Sequence, residues 1–297
     1  MELFYKDASV IVCDKPAGLL SEGGSGRGAP DLLAKELAAR GENPALYPVN
    51  RLDREAEGLL LLARDESSAA ELSRQVAARL VEKEYLAVVF GEPEEPAGVL
   101  RDLLFHDSRK NKTYVADRPR KGVKEAVLRY QTLCTVGGVC SADDESVNDG
   151  SSGEGSPASR DSSGDGSANN GSLDDGGSAS GGLPGGDGSA DGSRPEDIFY
   201  SVSGRCSVSG GEKALSLLRI WLETGRTHQI RVQFASRQMP LFGDGKYGGG
   251  PGKLALQSHR ITFRHPSSGK TVTVSAPYPE GEPWDLFPAT HDAVSIK

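Results

Sequence analysis

An aspartate flanked by two arginines is the residue of this chain best placed to do chemistry. Asp53 lies between Arg51 and Arg54 and precedes Gly58 and the apolar run 59–63. A short apolar run bounded in this way is typical of a strand that is buried on both faces. A carboxylate in the loop before such a strand needs a cationic partner, which need not be near in sequence. Such a carboxylate can act as a nucleophile, or it can merely cap its loop or pair with Arg51 or Arg54.

The elements that must position this loop follow from hydrophobic spacing and turn residues. Strands are predicted over residues 9–13, 59–63, 83–90, 125–135, 214–224, 260–266 and 270–277. Residues 59–90 read as a β-α-β-like run, strands 125–135 and 214–224 would pair as a hairpin, and the last two strands join at residues 267–269. Residues 15–18, KPAG, are predicted to form a turn without a catalytic role.

Three helices are predicted from caps and apolar stripes. The first covers 31–40 with Asp31 as its N-cap. The second is capped by Asp65 or Ser67 and runs to about residue 80. The third covers 227–237 and is capped by Thr224 or Thr227. The apolar stripe of the second helix consists of Ala69, Leu72, Val76 and Leu80.

One segment distorts the composition of this 297-residue chain, whose formal net charge is −8. Residues 136–211 hold 19 of the 38 glycines and 13 acidic against 3 basic residues, which leaves about +2 for the remaining 221 residues. The overall acidity therefore does not exclude a nucleic-acid partner. With so few aliphatic side chains, the segment is predicted to be a disordered acidic insertion that is dispensable for chemistry. The folded domain is predicted to comprise residues 1–135 and 212–297.

Several classes of protein are disfavoured by what the sequence lacks. It has no signal-peptide pattern and no apolar run near the roughly 18 residues of a membrane span. No dinucleotide, P-loop or zinc-protease motif is present. The cysteines, at 13, 134, 140 and 206, have no C-x-x-C spacing, which favours reduced thiols over a structural metal. We therefore expect a cytoplasmic monomer without membrane contact, metal or cofactor.

Four ordered motifs resemble those of the RluA-type pseudouridine synthases. The segment around Asp53 reads NRLDREAEGLLLLA and is similar to the family signature HRLD-x-x-TSG followed by an apolar strand. The others are VCDKPAGLL at 12–20, KEYLAVVFG at 83–91, and ETGRTHQIRVQ at 223–233 followed by PLFGDGKYG at 240–248. The similarity covers residues 4–135 and 213–276. Four motifs in order are far more specific than a lone RLD tripeptide.

The resemblance implies an enzyme that detaches uracil from C1′ of a uridine, turns it and reattaches it through C5, with no cofactor. Asp53 would be the catalytic nucleophile, which either forms a covalent adduct with the sugar or promotes elimination to a glycal. Tyr85 would stack on the flipped base or take part in proton transfer, unless it is only a core tyrosine. Arg231 would pair with Asp53 and keep it ionised and oriented.

Three further residues are predicted to contact RNA. By resemblance, Arg51 would fill the place left by the extruded uridine, and the alternative is an ordinary surface arginine. Arg226 and His228 would face phosphate or cap the local turn. On a helix, the side chains of Arg226 and Arg231 would diverge by about 140°, so we expect the two arginines to have different tasks.

The implied fold is mixed α/β (α+β), with a central mixed, mainly antiparallel sheet flanked by helices and interrupted by a long disordered loop. The implied partner is structured RNA, either ribosomal or transfer RNA. Three departures from the family pattern bear on RNA contacts: Asn50 and Gln233 stand at common histidine positions, and Ala56-Glu57 replaces Thr-Ser.

Two rival hypotheses come from other functional classes. The first is a non-catalytic RNA-binding module on the same fold, against which the set of Asp53, Tyr85 and Arg231 argues. The second is a carbohydrate-active enzyme with an aspartate nucleophile. For that class the sequence offers no second carboxylate in a matching motif.

Overall fold

The computed structural model describes residues 1–24, 26–137 and 214–287, together with the backbone of 205–206. The strands are β1 (Leu3–Lys6), β2 (Val10–Lys15), β3 (Tyr47–Pro48), β4 (Glu57–Ala63), β5 (Glu82–Phe90), β6 (Ala97–Asp107), β7 (Lys112–Val115), β8 (Val123–Val136), β9 (Arg205–Cys206), β10 (Leu215–Leu222), β11 (Leu256–Arg264) and β12 (Thr271–Ser275). The helices are α1 (Ala29–Ala39), α2 (Glu66–Ala77) and α3 (Gln229–Ala235), and a 3₁₀ turn covers Trp284–Leu286.

All of the described strands belong to one mixed sheet. Its main path runs β1-β2-β4-β11-β5-β10-β8-β6-β7, while β3, β12 and β9 pair with β4, β11 and β8. Only β4–β11 and β8–β9 are parallel among the described pairings, which confirms the predicted mixed, mainly antiparallel sheet. The predicted hairpin partners β8 and β10 pair antiparallel, as do β11 and β12.

The predicted disordered insertion lies almost wholly outside the described residues. At its edges, Val136 is the last residue of β8, and residues 205–206 pair with the end of that strand.

The β-α-β-like interpretation of residues 59–90 does not describe the sheet order. Strand β11 lies between β4 and β5, parallel to the first and antiparallel to the second. Strands β4 and β5 therefore run in opposite directions and do not touch along their lengths. Strand β11 begins nearly 200 residues after β4, and its position between β4 and β5 cannot be predicted from local hydrophobic spacing.

Two of the three helix starts differ from the prediction. Helix α1 begins at Ala29 with Gly28 as N-cap, and Asp31 caps from within the first turn by accepting the Gly28 N–H at 3.0 Å. Helix α3 follows His228, which has a left-handed backbone with φ of 54°, and neither Thr224 nor Thr227 caps it.

Helix α2 starts as predicted but ends early. Asp65 is its N-cap and accepts the Ser68 N–H at 2.8 Å. The helix stops at Ala77, so Leu80 lies beyond it with 56% of its surface exposed, and the predicted stripe ends at Val76.

Strand β4 is the rigid support of the Asp53 loop. Leu60 and Leu62 pack in one cluster with α1, whereas Leu59 and Leu61 pack in another with α2. All four leucines are fully buried, which confirms the prediction of a strand covered on both faces. Full burial of a leucine contributes roughly 1.5–3 kcal/mol, so the residues immediately after the loop are strongly fixed.

Candidate active site

The Asp53 loop is fastened to the turn that precedes α1. The carbonyl of Arg54 accepts the Gly18 N–H at 2.7 Å, and Arg54 Nε donates to the Gly18 carbonyl at 3.0 Å. Ser21 Oγ donates to the Leu52 carbonyl at 2.7 Å and is bonded by the Leu52 N–H at 2.8 Å. The backbone on both sides of Asp53 is thus held by two pairs of reciprocal hydrogen bonds.

Gly58 brings this loop close to the neighbouring strands. Its φ is +104°, and a Cβ there would lie 2.3 Å from the Ser258 carbonyl oxygen. A side chain is therefore excluded by both conformation and space. Ser258 pairs with Gly58 on one side and with Tyr85 on the other, so the sheet register aligns the end of the loop with Tyr85.

Arg231 reaches the Asp53 loop from α3. Its Nη1 donates to Asp53 Oδ2 at 3.4 Å and to Glu55 Oε2 at 3.1 Å. The other edge of the guanidinium is occupied by Asp244, which accepts from Nε at 2.7 Å and from Nη2 at 2.8 Å. One buried cation thus joins two carboxylates of the loop to a third carboxylate behind it.

The charge of Arg231 is held in place by these partners. Burial alone would lower the pKa of the guanidinium, but its hydrogen bonds to Asp244 and the charges of Asp244, Asp53 and Glu55 outweigh burial and raise that pKa. Glu55 responds in the complementary way. Burial acts to raise its pKa, whereas its own backbone N–H and the charges of Arg231 and Lys246 lower it. Both groups are therefore ionised at neutral pH.

Asp244 is the fully buried anchor of this ion network, and sequence reasoning gave it no role. Its Oδ1 also accepts the N–H groups of Lys246 and Tyr247 at 3.1 and 3.2 Å. The preceding Gly243 has φ of +73°, and a Cβ there would lie 2.1 Å from the Lys253 carbonyl oxygen. The glycines of the GDGKYG segment therefore allow a tight loop that folds round the carboxylate.

Tyr85 lies on β5 with only 5% of its surface exposed. Burial raises the pKa of its hydroxyl, and the negative charge of Asp53 raises it further. The phenol is therefore protonated across the physiological range, and the charge of Asp53 contributes to this. With so little of the residue uncovered, the ring face has little room for the stacking that the resemblance implies.

The three predicted RNA contacts have very different surroundings. Arg51 is an exposed arginine, 69% accessible, that pairs with Glu22 at 3.1 Å. Arg226 lies before α3 rather than on it, and its Nε donates to the Glu125 carbonyl at 2.9 Å. The helical geometry assumed for Arg226 and Arg231 was therefore wrong, although the two side chains do have different partners.

His228 is buried and belongs to the support of α3. Its Nδ1 lies 2.9 Å from the Tyr247 hydroxyl, which accepts the Thr113 N–H at 2.8 Å. Burial lowers the pKa of His228, and Asp53 partly opposes that shift. The Tyr247 ring lies 5.3 Å from the Arg231 guanidinium, so this network also packs against the central cation.

A second buried cation, Lys15, lies behind the loop. Its Nζ donates to the carbonyls of Pro16, Leu19 and Arg54 at 3.0, 2.9 and 3.3 Å. Burial lowers the pKa of Lys15 to about 8, although the charges of Asp14 and Asp53 oppose that shift. The predicted KPAG turn, which begins with Lys15, is thus hydrogen-bonded to the Asp53 loop. We call this arrangement the Lys15 clip.

A cavity of about 450 Å³ opens beside the ion network. It is lined by Glu55, Arg231, Lys246, Leu254 and three glycines of the 243–252 loop. Its wall combines two cationic side chains, one carboxylate and exposed backbone, which suits a small polar ligand.

Two of the three departures from the family pattern, Asn50 and Gln233, make defined contacts. Asn50 Oδ1 accepts the Leu61 N–H at 2.7 Å, so this amide ties the start of the loop to β4. Gln233 Nε2 donates to Asp102 Oδ2 at 2.7 Å, on the side of α3 that faces β6. Neither side chain bonds to Asp53 or Arg231.

The described residues give two negative findings. None of their helices combines the length and hydropathy needed to cross a membrane. Their histidine, cysteine, aspartate and glutamate side chains form no group of three or more that could hold a metal ion.

Comparison with known proteins gives one family. The family model described as RNA pseudouridylate synthase matches residues 9–236. The ribosomal large subunit pseudouridine synthase D of Xanthomonas campestris is 26% identical over 302 residues, covering 94% of this chain and 66% of that protein. The ribosomal large subunit pseudouridine synthase C of Rickettsia bellii is 40% identical over 132 residues, covering 44% and 43%.

A solved structure shows the same fold at lower identity. Human RNA pseudouridylate synthase domain containing 4 superposes with a TM-score of 0.57 at 16% identity, covering 94% of this chain and 89% of that one. The chain spans about two thirds of the length of the first curated relatives it matches. The family match covers most of the chain, and it includes the Asp53 loop, β5 and α3. The chain therefore belongs to the RNA pseudouridylate synthase family.

Proposed function

We propose that this protein isomerises specific uridines of structured RNA to pseudouridine, with Asp53 as the nucleophile. The observation that carries the proposal is the position of Arg231, whose Nη1 lies 3.4 Å from Asp53 while Asp244 fixes the rest of the guanidinium. A carboxylate oriented in this way by a fixed cation can attack C1′ of a ribose.

The proposed steps conserve all atoms. Asp53 attacks C1′ as the N1–C1′ bond breaks, and the bonding electrons leave with uracil. After the base turns, C5 attacks C1′ and Asp53 departs. The C5 proton is lost to solvent and N1 gains a proton, so the net change is an isomerisation. The protonated hydroxyl of Tyr85 is suited to donate a hydrogen bond to the reacting nucleotide.

A basic surface next to the site supports an RNA substrate. Residues 108–124, which include β7 and its two flanking loops, contain seven basic residues and one acidic residue. The Thr113 N–H in β7 donates to the Tyr247 hydroxyl at 2.8 Å, and Lys246 Nζ donates to the Asn111 carbonyl at 3.0 Å. Phosphates held by this surface would place RNA beside the cavity.

The names of the similar proteins favour ribosomal RNA over transfer RNA. We propose that the protein meets this RNA in the cytoplasm and acts as a monomer. Arg51, exposed beside the loop, would stabilise the RNA once the target uridine is extruded. Arg226 and His228 would support α3 rather than contact RNA.

The test uses RNA from cells that lack the gene. Pseudouridine is mapped in that RNA before and after incubation with the purified full-length protein, and tritium release is followed from RNA labelled at uridine C5. We expect new pseudouridine at one or a few positions, with equal release of tritium. Tight RNA binding with neither product would favour a non-catalytic RNA-binding module instead.

A further inference from the structure

We propose that Glu55 reads the N3–H of the target uracil, and that the cavity it lines with Arg231 and Lys246 is selective for that base. This inference rests on the proposed function, because it concerns how the same site would tell uridine from other nucleotides.

Glu55 is the exposed member of the three carboxylates that Arg231 holds. Its side chain is 46% accessible, against 19% for Asp53 and none for Asp244. One oxygen accepts from Arg231 Nη1 at 3.1 Å, and the residue forms part of the cavity wall. A carboxylate has about four acceptor positions, so a bond to Arg231 leaves others for a ligand.

The cavity lies within reach of Asp53. The same Nη1 atom lies 3.4 Å from Asp53 Oδ2 and 3.1 Å from Glu55 Oε2, which places these two oxygens no more than 6.5 Å apart. A nucleotide whose C1′ lies at Asp53 can therefore present its base to Glu55.

The polar groups of the wall favour a particular hydrogen-bond pattern. Glu55 is an acceptor and Lys246 is a donor, whereas Arg231 already donates to three carboxylates. The edge of uracil offers the complementary set, with the N3–H as donor and O2 and O4 as acceptors. Cytosine has no proton on N3, so its lone pair would face the carboxylate.

The apolar part of the wall fits a flat ring. Leu254 and three glycines line the same cavity, and the glycines keep it clear of side chains. Bases that are extruded from RNA are generally read in this way, by hydrogen bonds to the pairing edge and by packing against the ring.

The experiment combines a protein variant with a substrate variant. Two RNAs are made from the mapped substrate, one with uridine and one with N3-methyluridine at the target position, and single-turnover rates are measured. For the wild-type protein we expect the methylated RNA to react about 10²- to 10⁴-fold more slowly. In Glu55→Ala the ratio between the two RNAs should fall below about tenfold. In the control Glu66→Ala, at the exposed start of α2, the ratio should match that of the wild type.

The possible outcomes separate the two proposals. A wild-type protein that does not convert the uridine RNA overturns the proposed function itself. A wild-type protein that converts it, with an unchanged ratio in Glu55→Ala, overturns only the role of Glu55. Should Glu55→Ala lose turnover, equilibrium binding of the two RNAs by Glu55→Ala and by Glu55→Gln replaces the rate. A preference for uridine as strong as that of the wild type in Glu55→Ala would then refute the assignment.

Discussion

Two buried cations hold the Asp53 loop, and their partners differ in kind. Lys15 donates only to backbone carbonyls in the described contacts, whereas Arg231 donates to three carboxylates. Both side chains are almost fully buried. Carbonyl dipoles do not offset the burial of an ammonium group, so the pKa of Lys15 falls to about 8, while the carboxylates raise that of Arg231.

Lys15 and Arg231 therefore stabilise the Asp53 loop in different ways, the first mainly through hydrogen bonds and the second through its charge. Lys15 acts as a clip that joins Pro16, Leu19 and Arg54, and its hydrogen bonds matter more than its charge. Arg231 supplies a permanent positive charge at Asp53, and Asp244 keeps that charge in position.

Loss of the Asp244 charge should have the largest effect on folding. In Asp244→Asn the buried guanidinium loses its bidentate carboxylate, which we expect to lower the free energy of unfolding by about 3–5 kcal/mol. Urea denaturation measures the change. The control is Asp102→Asn, whose partner Arg237 is about one third exposed, with an expected loss of about 1–2 kcal/mol. Equal losses in the two variants would show that the Asp244 carboxylate stabilises the fold no more than that of Asp102 does.

Removal of the Lys15 clip should cost less. Lys15→Met keeps the length of the side chain but leaves three carbonyl groups without their donor, while it also removes the cost of burying an ammonium group. We expect a net loss of about 1–3 kcal/mol in the free energy of unfolding. A loss as large as that of Asp244→Asn would mean that the charge of Lys15 matters as much as its geometry.

The pH dependence of stability tests the lowered pKa of Lys15. The pKa of Lys15 is about 8 in the folded chain and has its ordinary value of 10.5 in the unfolded chain. Between these values the unfolded chain binds more protons, so the contribution of Lys15 to stability should increase with pH. The difference in unfolding free energy between wild type and Lys15→Met should grow between pH 8 and 10 by at most about 1.4 kcal/mol per pH unit. A difference that shrinks with pH would contradict the lowered pKa.

An exposed cation should behave unlike either buried one. Arg51→Ala should change the free energy of unfolding by less than about 0.5 kcal/mol, because its ion pair with Glu22 is open to solvent. If Arg51 contacts RNA, the variant should bind RNA several-fold more weakly and with a salt dependence reduced by about one counterion. Arg74→Ala, an exposed and ion-paired arginine on α2, serves as control and should bind RNA normally.

Local features of the sequence predicted much of the fold. The apolar run of β4, the Asp65 cap of α2 and the β8–β10 pairing were all predicted, since each depends on nearby residues or on one clear hairpin. The insertion of β11 between β4 and β5 was missed, because strand order depends on contacts between distant segments. The start of α3 was also missed, because Thr224 bonds the side chain of Gln229 instead of capping the helix.

Prediction of the candidate site was limited in the same way, by contacts between distant segments of the chain. The motifs singled out Asp53, Tyr85 and Arg231, and their functional roles remain predictions. Asp244 lay inside a quoted motif, yet no local pattern indicates that its carboxylate is buried against Arg231. Lys15 was interpreted as part of a turn, since burial of a lysine cannot be read from its neighbours in sequence.

The most direct test of the central claim is the initial rate of tritium release by Asp53→Ala with the mapped RNA. The Asp53 side chain is partly exposed and its Arg231 bond is the longest of the network, so the variant should unfold at nearly the same temperature as the wild type. We predict release below the detection limit from this folded protein. Release at a rate within tenfold of the wild type would contradict a nucleophilic role for Asp53.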